Sequence, residues 1–290
     1  MTYKNMVIPE GVCAMDRTLF TPVMLEAFRA CKRAYFLAYH RDGAAQAKEQ
    51  ASSVCKRFIL RALSEINRAK LTSVTQIQKF MGQYWPVDRL SASADLNDAG
   101  TRAFLYTYKT LLRYQSRPYH PSGSNVEAVS LRVRSRIAGE RVYLEEVFDL
   151  VLYYPAEKKL ELVIFSLKEP RPSNPAWPTP TELVRQFLAE RLQMRYPFEK
   201  LLLTTIKVSP QETKVSRKEA SKELFALHWP EVVKSLAEMK ELNEMPSHEE
   251  DGCRYCEAIE SRMVRELNSD EETADAVQKE AAGETIPLSA

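Results

Sequence analysis

The stretch from residue 145 to residue 170 constrains the fold of this chain more than any other. Two runs rich in apolar, β-branched and aromatic residues flank a polar segment at residues 155–159, a pattern typical of two strands joined by a hairpin loop. The second run has no polar face before Ser166. We therefore predict that it forms a central strand buried on both sides.

Each predicted strand carries one charged residue in apolar surroundings. Asp149 lies inside the first strand, and Lys168 closes the second. Charges in such surroundings require each other, a metal ion or a substrate phosphate as a partner. An antiparallel hairpin can bring the two strand ends side by side, so either a simple buried salt bridge or a chemical site fits this pattern.

An Asp on one strand and a Lys closing the next resembles the PD-(D/E)xK nucleases, and Phe-Asp-Leu-Val before the hairpin resembles their RecB-like branch. The resemblance implies a restriction-endonuclease-like fold and a Mg²⁺ or Mn²⁺ ion held by two carboxylates, with the Lys steering the attacking water. One position departs from the pattern. Ser166 stands two residues before Lys168, where the second carboxylate is expected, and a neutral hydroxyl is a poor ligand for a hard cation.

A displaced carboxylate is one way to restore such a site. Glu145 precedes Asp149 by four residues, so regular strand alternation predicts that the two share a face. The resemblance also implies that Gln186, on a helix after the Lys strand, lies near the site. Cys55 aligns with a metal-binding His of the family, although soft sulfur suits Mg²⁺ or Mn²⁺ badly.

The opening helix also resembles the RecB-like branch. Thr21-Pro22 predicts its start, with Thr as N-cap and Pro in the first turn, and Cys31 follows before a basic and aromatic segment. In four-cysteine members, including CRISPR-associated exonucleases, such a Cys joins three C-terminal ones to ligate a [4Fe–4S] cluster. Cys253 and Cys256 form a C-x-x-C pair here, and the expected last Cys is missing. A [4Fe–4S] cluster, a Zn²⁺ site and metal-free thiols all remain open.

Basic residues supply candidate phosphate contacts. Residues 126–137 alternate apolar and polar side chains, which predicts a half-exposed strand with one basic face. The candidate DNA-binding residues are Arg33, Arg132, Arg134 and Arg136. Contacts of this kind predict an affinity for DNA that falls steeply with salt.

Composition sets the wider limits. The 290 residues are 44% hydrophobic and 28% charged, as in ordinary globular proteins, and their formal net charge is +2. Residues 266–290 carry seven acidic residues against one Lys, so this tail has a net charge of −6 and the remaining chain one of +8. Five cysteines argue against a disulfide framework. With no run long enough for a membrane span and no signal-peptide core, we expect a cytoplasmic protein that does not contact membranes.

The predicted fold class is α/β, with a mixed central sheet flanked by helices. An antiparallel meander and one crossover strand form the sheet, and a helical region precedes it. We predict one domain over residues 1–260: helices at about 18–115, the sheet core at about 125–208, and a C-terminal helix with the C-x-x-C pair at 216–260. An acidic disordered tail would follow at 261–290.

Three functions fit these patterns. The first is a degenerate RecB-like nuclease that binds single-stranded DNA or DNA ends, or docks a nuclease, integrase or helicase partner, in DNA recombination, repair or CRISPR-type defence. The second is an active Mg²⁺- or Mn²⁺-dependent DNA exonuclease that uses Asp149, Lys168 and a displaced Glu145. The third is a globular protein that does not bind nucleic acid, for which DNA binding with steep salt dependence would be absent.

Overall fold

A computed structural model of the chain describes residues 19–39, 51–86, 96–167 and 177–246, together with Cys253. The helices within these residues are α1 (Pro22–Ala30), α2 (Lys32–Tyr39), α3 (Ala51–Asn67), α4 (Val74–Tyr84), α5 (Leu96–Ser116), α6 (Pro180–Ala189) and α7 (Lys222–Glu241). The strands are β1 (Leu19–Phe20), β2 (Asn125–Arg136), β3 (Tyr143–Tyr154), β4 (Lys159–Ser166), β5 (Lys200–Val208) and β6 (Thr213–Glu219). None of the helices in these ranges has the length and apolar character needed to cross a bilayer.

The six strands form one mixed sheet in the order β1-β3-β4-β5-β6, with β2 paired to β3. Strands β2, β3 and β4 form the predicted antiparallel meander. The chain then crosses through α6, and β5 returns parallel to β4 before β6 pairs with it in the antiparallel direction. The predicted α/β fold class, a mixed sheet flanked by helices, is confirmed.

The sheet is covered on both faces by helices. Side chains of α1, α6 and α7 form one core with the sheet, including Leu25, Leu188 and Leu236. Helices α3, α4 and α5 form a second core on the other side, with residues such as Leu63 and Leu111. Strand β4 contributes alternately to both, since its residues 160 and 162 belong to the first core and residues 163 and 165 to the second. The prediction that this strand is buried on both sides is confirmed.

Local capping explains where the helices begin. The Thr21 hydroxyl accepts the N–H of Met24 at 3.4 Å, and Pro22 occupies the first turn of α1. The predicted single opening helix is in fact two helices, because Cys31 adopts an extended conformation, with φ −166° and ψ 114°, between α1 and α2. Helix α6 starts with a capping box, in which the side chains of Thr179 and Glu182 accept each other's backbone N–H groups.

Two C-terminal elements, β6 and α7, follow β5. The C-terminal helix predicted within residues 216–260 begins at Lys222, because the Ser221 hydroxyl caps it by accepting the N–H of Leu224 at 3.2 Å. Pro230 therefore lies inside this helix. Strand β6 was not predicted, and five of its seven side chains are exposed, so it lacks the alternation of a half-buried strand.

We predict that Phe148→Ala lowers the free energy of unfolding by about 3 to 5 kcal/mol, because Phe148 is fully buried in the first core and its truncation leaves a cavity. The matched control is Val147→Ala at the neighbouring position, where the side chain is 39% exposed and the expected change is below about 1 kcal/mol. Urea denaturation with an unchanged m-value measures both. Equal losses in the two variants would contradict the assignment of faces on β3.

Candidate functional site

The candidate site lies at a fork on one edge of β3. Strand β2 pairs along nearly all of β3 on the other edge. On the fork edge, β1 pairs only with Tyr143 and Leu144, and β4 pairs only from Leu150 onward. Among the described strands, none pairs with residues 145–149 on this edge.

Asp149 lies where β3 and β4 separate. The last pair of their ladder is Leu150 with Val163. Beyond it, Oδ2 of Asp149 accepts the backbone N–H of Phe165 at 2.6 Å, so a side chain takes the place of the next ladder bond. Its other oxygen, Oδ1, accepts no hydrogen bond from the residues that the structure describes. The carboxylate is 9% exposed and therefore points into a nearly closed site.

Strand β3 changes the face that it buries at Asp149. Phe148 belongs to the first core and Leu150 to the second, although regular alternation would place both on one face. Val151 then returns to the first core. On β2, Ser130 lies opposite Asp149 and adopts a positive φ of 57°, which marks the same irregularity. Counting alternate residues along β3 therefore does not predict correctly which face of the sheet a side chain occupies once the count passes Asp149.

The pKa of Asp149 is raised to about 6. Burial is the main cause, because a charged carboxylate loses its hydration, and the nearby carboxylate of Glu146 raises the pKa further. The Phe165 N–H and the cations Arg185 and Lys56 act in the opposite direction without cancelling these effects. Four charged side chains from β3, α6 and α3 thus share one environment.

Glu146 and Arg185 form a two-pronged ion pair at the fork. Arg185 donates from Nε to Oε2 and from Nη2 to Oε1 of Glu146, both at 3.0 Å. The side chain of Arg185 is 16% exposed and that of Glu146 is 12% exposed, so the pair is largely shielded from water. Sequence reasoning missed Arg185, Glu146 and Lys56. Two residues singled out in the sequence, Gln186 and Cys55, are the chain neighbours of Arg185 and Lys56 and could have drawn attention to them. The irregularity in β3 has no clear sequence signature.

The residues predicted from sequence lie in several places. Glu145 lies beside Arg132, with 3.7 Å between its Oε1 and Nη1 of the arginine, and Glu146 is the carboxylate that raises the pKa of Asp149. The face-sharing argument for Glu145 assumed regular alternation, which fails here. Gln186 donates from Nε2 to the carbonyl oxygen of Ser221 at 3.2 Å. Roles of Glu145 and Gln186 in catalysis stay predictions, and Lys168 lies outside the described residues.

The predicted basic face of β2 is exposed. Arg132, Arg134 and Arg136 all point to solvent from alternate positions of the strand. The Arg134 guanidinium stacks over the ring of Tyr143 at 4.4 Å from its centre. This face extends along β2 from Arg132, which pairs with Val147, to Arg136, which pairs with Tyr143 near the turn into β3. Arg33, the fourth predicted contact, is half-buried on α2.

The predicted cysteine ligands are only partly described. Sγ of Cys31 accepts the N–H of Ala34 at 3.3 Å, at the start of α2. Next to it, Lys32 pairs with Glu238 at 2.8 Å, which brings the end of α7 to the Cys31 segment. Cys253 is half-buried, whereas Cys256 lies outside the described residues. Burial raises the pKa of the Cys55 thiol on α3, which disfavours the thiolate form that binds metals.

The described donors do not fit a Mg²⁺ or Mn²⁺ ion. Such ions need several anionic oxygens, and among the described residues at the fork only Asp149 offers a carboxylate without a cationic side chain bonded to it. Ser166 contributes a neutral hydroxyl, and both oxygens of Glu146 are bonded to Arg185. Within residues 19–39, 51–86, 96–167 and 177–246 and Cys253, no three His, Cys, Asp or Glu side chains group closely enough to hold a metal ion.

Comparisons with known proteins place this fold in a family. A solved structure described as "Crystal structure of SSO0001" is 9% identical and aligns over 62% of this chain and 85% of its own, and its TM-score of 0.21 is too low to support shared architecture. A search of curated proteins gave no match. A family model described as "PD-(D/E)XK nuclease superfamily" matches residues 20–261. The chain therefore belongs to the PD-(D/E)XK nuclease superfamily.

Proposed function

We propose that this protein is a catalytically degenerate, RecB-like member of the superfamily that binds DNA, either single-stranded or at ends. One observation carries the proposal: the fork keeps Asp149 but has an arginine salt bridge on Glu146, its neighbouring acid. Members of this superfamily typically use Mg²⁺ or Mn²⁺, which need more than one free carboxylate. Ser166 at the expected place of the second acid supports the same conclusion.

The basic face of β2 supports DNA as the ligand. Arg134 and Arg136 are exposed on a strand that leads to the fork, so a phosphate backbone lying along β2 would reach Asp149 at its inner end. Guanidinium groups suit phosphate because they present paired N–H donors. The net charge of +8 outside the acidic tail favours the same polyanion.

A scaffolding role completes this proposal. The RecB-like resemblance suggests a subunit that holds DNA for a nuclease, integrase or helicase partner in recombination, repair or CRISPR-type defence. The cysteines fit such a role if Cys31, Cys253 and Cys256 hold a [4Fe–4S] cluster that ties the two ends of the domain together. Supporting this, the Lys32–Glu238 ion pair places the end of α7 next to Cys31.

An active exonuclease is the second candidate, and one observation favours it. Oδ1 of Asp149 accepts no hydrogen bond among the described residues, so this oxygen is available to a ligand. Catalysis would still require a second carboxylate, either Glu145 released from Arg132 or Glu146 released from Arg185. Each release breaks an ion pair that the structure contains, which makes this function the less supported one.

We predict that the protein binds fluorescently labelled single-stranded DNA in EDTA, with an affinity that falls steeply as salt rises. The double variant Arg134→Gln/Arg136→Gln should weaken binding and reduce the slope of log K against log salt by about 1.4, because two phosphate contacts are lost. Fluorescence anisotropy from 50 to 300 mM salt measures this. The charge-matched control is Lys158→Gln/Lys200→Gln, at the end of the sheet away from the fork.

Equal weakening by both double variants would show that the contacts are not on β2. Binding that does not depend on salt, or no binding at all, would favour a protein that does not act on nucleic acid.

We predict that Asp149→Asn stabilises the fold at neutral pH. The folded-state pKa of about 6 lies above the ordinary value of 3.8, so the folded protein binds the proton more tightly than the unfolded chain. The contribution of the protonated Asp149 to the free energy of unfolding is therefore fully present below about pH 4 and is lost as pH rises through about 6. The Asn variant removes this loss and should be more stable by about 3 kcal/mol at pH 7.5.

Urea denaturation from pH 4 to pH 8 measures this difference, and exposed Glu219→Gln serves as the control, with an expected change within about 0.5 kcal/mol. A variant less stable than wild type at pH 7.5 would show that Asp149 is a structural carboxylate, held because the fold needs its charge.

A further inference from the structure

The fork brings cations of the protein itself to the place where the superfamily places a metal ion. Asp149 and Glu146 supply two carboxylates from β3. Arg185, on α6 in the helical layer on one face of the sheet, bonds Glu146. The exposed Lys56, on α3 in the layer on the other face, lowers the pKa of Asp149. The formal charges of these four side chains balance without any added ion.

We propose that Arg185 is a built-in counter-ion that replaces a divalent metal at the fork, and that Glu146 is a latent metal ligand which this arginine occupies. The inference rests on the proposed function and deepens it, since it explains why the fork would hold DNA without acquiring a metal. It also assigns roles to two residues that the sequence patterns did not select.

The geometry of the ion pair supports this assignment. A guanidinium is always charged and binds a carboxylate through two parallel N–H bonds, which is the arrangement between Arg185 and Glu146. Both carboxylate oxygens are therefore used. A divalent ion at Glu146 would compete with the guanidinium for these two oxygens and would lie against its positive charge.

The helix that carries Arg185 is fixed in place. Its first turn has the Thr179–Glu182 capping box, and Glu182 also accepts the ammonium of Lys218 on β6 at 2.9 Å. Leu188, on the same helix, is fully buried in the first core. Arg185 is thus covalently tethered to a packed element, so chelators cannot remove this cation as they remove a metal ion.

Electrostatics give the second argument. A Mg²⁺ or Mn²⁺ ion at Asp149 would be repelled by the positive charges of Arg185 and Lys56, both of which lower the pKa of this carboxylate. Removing the arginine charge changes this balance, because Glu146 and Asp149 then lose the guanidinium that lies beside them, and among the described residues the exposed Lys56 is the remaining cation that acts on Asp149. Such a site should attract a hard divalent cation.

Manganese binding to the purified full-length protein tests the proposal, with free Mn²⁺ followed by electron paramagnetic resonance. We expect Arg185→Gln to bind one Mn²⁺ at least tenfold more tightly than wild type. Arg185→Lys, which keeps the positive charge, should show no such gain. Adding Glu146→Gln or Asp149→Asn to the Arg185→Gln variant should abolish the new site, which assigns it to the fork.

Thermal melting provides a readout if Arg185→Gln is poorly folded. Mn²⁺ should raise the melting temperature of Arg185→Gln, and of Arg185→Met as a second neutral variant, but not that of wild type. Wild type that binds Mn²⁺ as tightly as Arg185→Gln, with binding lost in Asp149→Asn, would overturn the proposal. Neutral variants with neither a new Mn²⁺ site nor a metal-dependent rise in melting temperature would overturn it too. DNA binding is measured separately in EDTA, so its absence would count against the proposed function alone.

Discussion

One hydrogen bond determines the arrangement of this site: the backbone N–H of Phe165 donates to the carboxylate of Asp149 at the point where β3 and β4 separate. A regular ladder would have continued past Leu150 and Val163 and closed the edge of β3. A side chain takes the next bond instead, and residues 145–149 have no paired strand on this edge among the strands that the structure describes. The positive φ of Ser130 on β2 accommodates the change of buried face at the same level.

The two helical layers make this fork a place where distant charges meet. A sheet buried on both sides needs helices on both faces, and each layer carries one cation toward Asp149. Arg185 comes from the layer of α6 and Lys56 from that of α3. The packing that stabilises the fold therefore also sets the electrostatics of the site, and the acid of β3 is balanced without a metal ion.

A second buried carboxylate, that of Glu161, has many more hydrogen-bond partners among the described residues than Asp149 has. Glu161 on β4 is fully buried, yet it accepts the hydroxyls of Tyr119, Tyr154 and Thr204 and pairs with Arg217 at 3.3 Å. Burial, and next the bond to this carboxylate, raise the pKa of the Tyr119 and Tyr154 hydroxyls, which keeps them protonated as donors. Among the described residues, Asp149 accepts one hydrogen bond, from the backbone N–H of Phe165, and its pKa is about 6. A buried carboxylate with a full set of hydrogen bonds, such as Glu161, is typical of a structural role. One with few hydrogen bonds and a shifted pKa, such as Asp149, is typical of a functional site.

Much of the fold could be predicted from the sequence, because it depends on local patterns. The apolar runs around residues 155–159 specify the β3–β4 hairpin, and Thr179-Pro180 specifies the start of α6. Exposed β6 and two-residue β1 have no such pattern.

The site was harder to predict. Asp149 could be identified from its charge in an apolar strand, but the choice of Glu145 as its companion depended on regular alternation. The irregularity beside Ser130 breaks that alternation, and the pairing of Glu146 with Arg185 depends on tertiary packing that spacing along the chain does not encode.

Cleavage of end-labelled single-stranded DNA in the presence of Mn²⁺ tests the central claim most directly. Anaerobically purified wild type should be compared with its Asp149→Ala variant. A degenerate nuclease fold predicts that neither protein shortens the DNA. Cleavage by wild type that disappears in the variant would contradict degeneracy and show that a second carboxylate completes the metal site despite the Arg185–Glu146 ion pair.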